Sequence, residues 1–396
     1  MTEHQNPLAT PLPMTDLAAI GLCPERTQAL MAVLRREVAS GRLPGAVAMV
    51  ARHGQVGLLE AVGQQDPSKG TPMQTDSIFR IYSMTKPLVS VAVMMLVERG
   101  LLLLSDPVSR WLPEYASPKV ATADGLVPAR NPATVHDLLR HTAGLTYEFL
   151  GSSSVQQQYK QVQIASRERS NAEFSQTLAS LPLQFQPGSV WAYSRATDVL
   201  GRLVEVVSGQ GLGAFLQAEI LGPLGMVDTG FAVPPEHHHR IAEPFAHDPD
   251  GGVPMPVIDP RQVPAMQGGG GGLMSTAHDY TRFLQCLRNK GALNGVRLLG
   301  PHTLAFMTAD HLGSIPAEGS LLPPGHGFGL GFAVRTHLGL SNVPGSVGLY
   351  YWGGIAGTTF FVDPALDLYA MLLIQAPNQR DYYRPLFRDL VYAALL

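Results

Sequence analysis

The chain has 396 residues, of which 45% are hydrophobic and 15% charged, and its formal net charge at pH 7 is −3. This composition predicts a folded globular protein with a large core, more often two domains than one, and excludes extensive disorder. The charge balance offers no basic surface for nucleic acid. Only two cysteines, Cys23 and Cys286, are present, which excludes a disulfide framework and a cysteine-based zinc site.

The N-terminal segment and the apolar runs bear on localisation. Residues 1–15 are polar and proline-rich, without the basic and apolar regions of a signal peptide. The longest apolar runs, 89–97 and 101–104, are separated by a charged break and are too short to span a bilayer. We therefore expect a cytoplasmic protein with no membrane contact. A secreted protein whose leader has been removed is the alternative.

Strand patterns occur at both ends of the chain. A helix that begins at Pro24 is followed by two strands, 45–51 and 55–62, joined by the turn Arg52-His53-Gly54. The C-terminal part returns to strand patterns and ends in a helix with one apolar face. The predicted C-terminal elements are strands at 327–334, 349–352, 358–362 and 368–375 and a helix at 380–396.

The middle of the chain is helical, with apolar residues at helical spacing and glycine- and proline-rich segments between the helices. The predicted helices are 83–100, 134–140, 171–181, 196–208 and 279–289. We therefore predict an α+β (α/β) fold, in which an antiparallel sheet built from both termini is flanked by helices and carries an inserted, mainly helical domain. The sheet domain would comprise 1–85 and 280–396, the helical domain 86–279, and the active site the cleft between them.

Ser83 and Lys86 form a reactive pair where the long apolar helix begins. Residues three apart in a helix lie on one face, with Cβ atoms about 5–6 Å apart. Free N–H groups and the helix dipole at the first turn favour negative charge on the Ser83 hydroxyl, and burial lowers the pKa of an amine such as Lys86. The pattern favours a serine nucleophile activated by an amine. The alternative is that Ser83 caps the helix and Lys86 is solvated.

Tyr193 and a glycine-rich strand are further candidates. Tyr193 follows a Pro-Gly turn and precedes a helix, and its phenol would be a general base if a nearby ammonium held it ionised. An interfacial aromatic with a hydrogen-bonded hydroxyl is the alternative. In residues 350–357, glycines allow the backbone to approach a ligand closely, as at a strand that supplies an oxyanion donor. A bulged edge strand is the alternative there.

Taken together, these motifs resemble the serine β-lactamases and penicillin-recognising peptidases. Ser83-Met84-Thr85-Lys86, Tyr193-Ser194-Arg195 and Trp352-Gly353-Gly354 occur in the order and spacing of that family. Supporting similarity is found in the stretches 106–109, 138–145 and 268–276. The resemblance extends from about residue 24 to the C terminus. The chain is most similar to the class C β-lactamase-like carboxylesterases, often called family VIII.

Two positions depart from the class C β-lactamases. Arg195 stands where that family has Asn, and Trp352 stands where it has the Lys of Lys-Thr-Gly, which helps to hold the substrate carboxylate. Replacing that cation with an indole removes the charge and adds an apolar wall, which favours neutral esters over anionic β-lactams. Trp-Gly-Gly at this position resembles the esterase branch.

The resemblance implies a role for each candidate residue. Ser83 would be the nucleophile, and Lys86 and Tyr193 would share the general-base role and protonate the leaving alkoxide. The backbone N–H groups of Ser83 and Ile355 would form the oxyanion hole. The residues that would bind the substrate are Tyr351, Trp352, Gly353 and Gly354.

The implied protein is a carboxylic ester hydrolase that cleaves small short-chain esters through an acyl-enzyme on Ser83, with deacetylation of cephalosporin side chains as a subsidiary activity. The resemblance implies no cofactor and no metal, and the expected partner is a small-molecule ester. A β-lactamase or D-alanyl-D-alanine carboxypeptidase is the nearest alternative. A non-catalytic binding module on the same fold is an alternative of another class.

Two further hypotheses find less support in the sequence. An α/β-hydrolase would need Gly-x-Ser-x-Gly after a strand, and the sequence contains no such pentapeptide. A metal site would use the three histidines at 237–239 with Glu236 and His247, but adjacent residues of an extended segment point in different directions and His-Glu-x-x-His is absent. His141 and His326 adjoin glycine-containing turns and are interpreted as structural.

Overall fold

The computed structural model describes residues 12–396, so the first eleven residues of the predicted sheet domain lie outside the described part. The strands, in chain order, are β1 (Gly45–Arg52), β2 (Gln55–Asp66), β3 (Thr71–Pro72), β4 (Phe79–Arg80), β5 (Lys119–Thr122), β6 (Gly125–Pro128), β7 (Met274–Ser275), β8 (Ala292–Leu293), β9 (Val296–Arg297), β10 (His326–Phe328), β11 (Ala333–Arg335), β12 (Tyr350–Gly353), β13 (Thr359–Asp363) and β14 (Leu368–Ile374). The helices are α1 (Pro24–Ala39), α2 (Thr85–Glu98), α3 (Val135–Leu139), α4 (Ser154–Gln161), α5 (Asn171–Ala179), α6 (Ala196–Ser208), α7 (Leu212–Leu216), α8 (Gly222–Leu224), α9 (Ala277–Arg288), α10 (Pro301–Met307) and α11 (Arg380–Ala393).

One antiparallel sheet of eight strands joins the two ends of the chain. Its order is β10-β11-β12-β13-β14-β1-β2-β3, so the N-terminal strands continue the C-terminal ones through the β1–β14 pairing. That pairing runs from Ala46 opposite Ile374 to Arg52 opposite Leu368. Both strands are buried along nearly their whole length, as expected of central strands covered on both faces. The predicted fold class, with an antiparallel sheet built from both termini, is confirmed.

Helices cover both faces of this sheet. On one face α1 and α11 contribute Leu34 and Phe387 to a core shared with β1 and β14. On the other face α2, α6 and α9 form a larger core with the same sheet. Helix α2 is apolar on all sides and is buried from Thr85 to Leu96, so it runs through the interior of the protein. The turn that precedes α2 contacts β12, and this junction locates the candidate site.

The predicted single strand over 327–334 is wrong. It is two antiparallel strands, β10 and β11, with Gly327 opposite Val334. Between them the chain reverses, with Gly331 at a φ of +99° and the Gly329 N–H bonded to the Phe332 carbonyl at 2.8 Å. Glycine adopts such a φ without the steric cost that other residues would meet, which is why the apolar run breaks here.

Within residues 12–396, no single helix combines the length and apolar composition needed to cross a bilayer. Only α6 and the segment Leu212–Leu224, bent by 78° relative to each other, meet that test as a pair.

Candidate active site

Ser83 lies on a 3-10 turn, Tyr82–Met84, that directly precedes α2. Tyr82 adopts a φ of +43°, a conformation that a bulky side chain holds only where its surroundings enforce it. The Tyr82 hydroxyl accepts a hydrogen bond from the Ile258 N–H at 2.9 Å, and the Met84 carbonyl accepts one from the Tyr280 hydroxyl at 2.9 Å. The turn is therefore anchored on both sides of Ser83.

Lys86 is completely buried and lies behind Ser83. Its Nζ is 3.3 Å from Ser83 Oγ, 2.9 Å from the Tyr147 hydroxyl and 2.6 Å from the Gly270 carbonyl oxygen. Burial lowers the pKa of Lys86 to about 7, although the nearby Asp198 carboxylate opposes the shift. At neutral pH the amine is thus divided between its charged and neutral forms, which is the property that a base for Ser83 requires.

Tyr193 reaches the same place from the segment that leads into α6. Its hydroxyl accepts a hydrogen bond from Trp352 Nε1 at 3.2 Å, and Lys86 Nζ lies 4.5 Å from the centre of its ring. Burial raises the pKa of Tyr193, while hydrogen bonds with Ser83 and Trp352 act against that shift. The phenol is therefore protonated at neutral pH, so in the resting protein it is a proton donor rather than an ionised base.

Arg195, which stands where class C enzymes have Asn, belongs to a buried ion-pair network. Its guanidinium donates to the two Glu148 carboxylate oxygens at 2.5 and 3.2 Å and to Asp198 at 3.4 Å. Although burial opposes the change, the attraction of Asp198 and Glu148 raises the pKa of Arg195. Asp198 also accepts a hydrogen bond from the Gly270 N–H at 2.8 Å. The network therefore positions the glycine loop whose carbonyl binds Lys86.

The two N–H groups expected to form the oxyanion hole, those of Ser83 and Ile355, donate to no other group in the described part of the chain. Ile355 follows β12 in a turn closed by a 2.8 Å hydrogen bond from the Gly354 N–H to the Thr358 carbonyl. Gly354 lies directly against the Ser83 turn, because a Cβ at this position would be 2.4 Å from the Ile81 carbonyl oxygen. Glycine here allows the strand end to approach the turn that carries Ser83.

Successive residues of β12 face opposite sides of the sheet. The Trp352 ring lies 5.1 Å from that of Tyr193, whereas the Tyr351 ring lies beneath the Arg388 guanidinium, 4.4 Å away. Gly353 is the last residue of β12 and pairs with β13. Of the residues expected to bind substrate, Trp352 and the two glycines are brought to the cluster of Ser83, Lys86 and Tyr193, and Tyr351 is turned towards α11.

His141 borders the cluster, with its ring 5.0 Å from that of Tyr193 and its Nδ1 3.0 Å from Ser194 Oγ. Burial lowers its pKa well below the usual value, so the imidazole is neutral. The histidines at 237–239 lie on the 3-10 turn Pro235–Arg240. Within residues 12–396, no group of three or more His, Cys, Asp or Glu side chains is placed to hold a metal ion.

Sequence analysis missed Tyr147, Glu148, Asp198 and the Gly270 carbonyl. Tyr147 comes shortly after the stretch 138–145, and Gly270 lies inside the stretch 268–276. The resemblance to the family therefore indicated both regions, but not these two residues. Asp198 is three residues after Arg195 on α6, a spacing typical of a helical ion pair, and this signal could have revealed it. No local pattern links Glu148 to Arg195.

Comparisons with known proteins show the family to which the chain belongs. A family model described as Beta-lactamase matches residues 30–393. The chain belongs to the beta-lactamase family. Esterase EstB of Burkholderia gladioli is 39% identical over 394 residues, covering 92% of this chain and 94% of that protein. The lovastatin esterase of Penicillium rubens is 30% identical over 368 residues, covering 85% of this chain and 90% of that protein.

Comparison with solved structures also indicates a hydrolase of this family. A solved structure described as EstCE1, a hydrolase with promiscuous acyltransferase activity, superposes with a TM-score of 0.80 at 29% identity, covering 93% of this chain and 98% of that one. The predicted serine esterase on a β-lactamase fold, a carboxylic ester hydrolase, is confirmed at the level of family and enzyme class.

Proposed function

We propose that this beta-lactamase-family hydrolase cleaves small, short-chain esters through an acyl-enzyme on Ser83. The observation that carries the proposal is the position of the Lys86 amine, which is fully buried, 3.3 Å from Ser83 Oγ and has its pKa lowered to about 7. An amine that is partly neutral at the working pH is a competent base for a serine hydroxyl.

The hydrogen bonds of Lys86 direct its lone pair towards Ser83. A neutral amine has two N–H donors and one lone pair, and the Gly270 carbonyl at 2.6 Å can only accept. When the Tyr147 hydroxyl at 2.9 Å accepts the second N–H, the lone pair is left for the Ser83 hydroxyl. Lys86 is accordingly assigned as the first base, and Tyr147 as a residue that positions it.

The proposed reaction has two stages. Ser83 Oγ attacks the ester carbonyl carbon as its proton passes to Lys86, and the N–H groups of Ser83 and Ile355 bind the oxyanion. Tyr193 donates its phenol proton to the leaving alkoxide and regains one from the Lys86 ammonium. Water then attacks the acyl carbon as its proton passes to Lys86, and Lys86 returns that proton to Ser83 Oγ when the bond between the acyl carbon and Ser83 breaks and the acid is released.

Aromatic side chains around the nucleophile support small, apolar acyl groups as substrates. The ring of Tyr193 lies 5.1 Å from those of both Tyr147 and Trp352, and all three side chains are buried. Phe149, 4.8 Å from Tyr147, is 49% exposed and provides an apolar surface beside the cluster. Deacetylation of cephalosporin side chains is the subsidiary proposal, supported by membership of the beta-lactamase family. Absence of acetate release from a 3-acetoxymethyl cephalosporin would refute it.

The test is a comparison of initial rates on p-nitrophenyl butyrate and nitrocefin for the wild type and Ser83→Ala. We expect fast ester cleavage, weak or absent nitrocefin turnover, and loss of both in the variant. Fast nitrocefin turnover would favour the β-lactamase alternative, and no covalent labelling of Ser83 by an ester-mimicking phosphonate would favour a non-catalytic module. Ester cleavage that survives Ser83→Ala would overturn the mechanism.

A further inference from the structure

His141 binds both chain neighbours of Tyr193. The His141 carbonyl accepts a hydrogen bond from the Ala192 N–H at 3.0 Å, and the His141 Nδ1 lies 3.0 Å from Ser194 Oγ. Between these two attachments, the His141 ring lies 5.0 Å from the ring of Tyr193. The backbone on each side of the phenol is therefore tied to one residue, which is itself buried.

The backbone around His141 is fixed at the end of α3. The His141 N–H donates to the Leu138 carbonyl at 3.3 Å, and the N–H of the next residue, Thr142, donates to the Asp137 carbonyl at 2.8 Å. The Thr142 hydroxyl also donates to the Asp137 carboxylate at 2.7 Å. Because these bonds restrain the backbone on both sides, His141 is a rigid support for the segment that carries Tyr193.

Two features of His141 are unfavourable for folding. Its φ is +58°, in the left-handed region that residues other than glycine adopt at a cost. Its Nε2 is buried and has no hydrogen-bond partner among residues 12–396, and a buried polar atom without a partner is destabilising. A phenylalanine ring would occupy similar space without this second cost. The presence of histidine is therefore explained by its other nitrogen, Nδ1, which contacts Ser194.

The His141 ring stays neutral over the pH range in which Lys86 titrates. Burial and the charge of Lys86 lower the pKa of His141 well below its usual value. A neutral imidazole has one N–H and one lone pair, and the Ser194 hydroxyl can donate or accept, so their hydrogen bond forms with either tautomer. The bond between His141 and Ser194 is therefore independent of pH near neutrality, and His141 is not itself an acid or a base in the reaction.

We propose that His141 is the positioning residue for Tyr193, and that its hydrogen bond with Ser194 holds the phenol where it can protonate the leaving alkoxide. The Tyr193 hydroxyl is the only polar atom of that side chain, and it is bonded to Trp352 Nε1 at 3.2 Å. The direction of the phenol is thus set by ring packing and by the backbone on either side, which His141 binds. This inference rests on the proposed ester hydrolysis at Ser83 and deepens it.

The leaving group distinguishes this role from a general structural one. p-Nitrophenyl butyrate releases p-nitrophenolate, which needs no proton to leave at neutral pH, whereas ethyl butyrate releases ethoxide, which does. Both esters form the same butyryl-enzyme, so kcat/KM compares only the steps up to the release of the alcohol. The decisive quantity is the ratio of kcat/KM for ethyl butyrate to kcat/KM for p-nitrophenyl butyrate, because general damage to the site cancels in that ratio.

In His141→Phe we expect this ratio to fall about tenfold, a part of the roughly 100- to 10,000-fold that proton transfer by a positioned side chain contributes. Ser194→Ala removes the hydroxyl that Nδ1 contacts and should lower the ratio by a similar factor. His141→Asn should retain most of the ratio, because asparagine tolerates a positive φ and keeps a polar side chain for Ser194. The pH–rate midpoint should stay near 7 in all three variants, since Lys86 remains buried.

His326 is the matched control. It is a second histidine whose Nε2 is buried and has no hydrogen-bond partner in the described part of the chain, and burial lowers its pKa to about 4, which leaves it neutral. Its Nδ1 lies 3.1 Å from the Pro324 carbonyl oxygen, and its ring packs edge-on against Tyr351, which is turned towards α11. His326→Phe should leave the ratio as in the wild type.

An unchanged ratio in His141→Phe would overturn the proposal, and so would an equal fall in His326→Phe. If His141→Phe does not fold, an unchanged ratio in Ser194→Ala overturns it equally. A ratio that Tyr193→Phe leaves unchanged would also overturn it, because His141 would then have no proton donor to position. Absence of any Ser83-dependent cleavage of p-nitrophenyl butyrate would instead refute the proposed function, so the two failures are distinguishable.

Discussion

Lys86 Nζ and Ser83 Oγ are 3.3 Å apart, yet Lys86 has no exposed surface whereas Ser83 is partly exposed. The proposed nucleophile can therefore meet a substrate while its proposed base stays in surroundings that lower the pKa of the amine. Both conditions are needed, because an exposed lysine would be fully protonated at neutral pH and a buried serine could not be reached.

Activity should rise with pH through the pKa of Lys86. Burial lowers that pKa to about 7, so below pH 7 the fraction of neutral amine, and with it kcat/KM, should fall about tenfold per pH unit. Above pH 7 the rate should level off, since burial keeps the pKa of Tyr193 above its usual value and the phenol stays protonated. Initial rates on p-nitrophenyl butyrate from pH 5 to 9, corrected for spontaneous hydrolysis, measure the profile. A midpoint near 10 would contradict it.

Removing the Tyr193 hydroxyl should be more damaging than removing that of Tyr147. Tyr193→Phe loses the proposed proton donor to the leaving alkoxide, and we expect kcat to fall about 100-fold or more. Tyr147→Phe loses one hydrogen bond to Lys86 and leaves its second N–H unpaired, so kcat should fall about tenfold. Steady-state rates with an activated and an unactivated ester measure both effects. Near-normal turnover of Tyr193→Phe on the unactivated ester would show that Lys86 alone suffices.

Arg195 should matter for stability as well as for rate. Arg195→Gln leaves Glu148 and Asp198, whose side chains are 14% and 3% exposed, without their cation, and breaking a buried pair costs about 3–5 kcal/mol. Because Arg195 also lowers the pKa of Lys86, its loss should move the midpoint of the pH–rate profile upwards.

Urea denaturation of Arg195→Gln measures the free energy of unfolding, and Arg35→Gln is the control. Arg35 pairs with Glu60 at 2.9 Å, but the two side chains are 57% and 47% exposed, so its loss should cost less than about 1 kcal/mol. Equal losses in the two variants would contradict the assignment of a buried network around Arg195.

Gly354→Ala should impair catalysis by displacing the end of β12. The added Cβ would be 2.4 Å from the Ile81 carbonyl oxygen, closer than atoms can pack, so Ile355 or the Ser83 turn must move. We expect kcat to fall about 100-fold, in line with loss of one oxyanion donor. Gly339→Ala is the control, because nothing lies within 4 Å of its Cβ. An unchanged kcat in Gly354→Ala would show that the oxyanion hole does not depend on this contact.

Local features of the chain were predictable from the sequence. Ser83 and Lys86 are three residues apart, so backbone geometry alone places them side by side. Helix α6 begins at Ala196 and ends at Ser208, as the apolar spacing predicted. The two-ended sheet also followed from strand patterns near each terminus, whereas the prediction over 327–334 failed because a glycine turn interrupts an apolar run that reads as continuous.

The two partners of Lys86 that lie far away in the sequence were beyond prediction. Tyr147 and Gly270 lie 61 and 184 residues away along the chain, and only the packing of the helical region against the sheet brings them to the amine. The same holds for the contact between Trp352 and Tyr193, 159 residues apart.

The sequence by itself determined which side chains are available for the chemistry. It also determined the order and spacing of the motifs that carry them, from which the family could be recognised. The tertiary structure alone decided their protonation states and the placement of charge. Burial leaves Lys86 partly neutral and keeps Tyr193 protonated, and the fold brings Glu148 to Arg195 from 47 residues away along the chain. A pKa depends on solvent exclusion and on the charges nearby, and both are set by contacts between residues far apart in the chain.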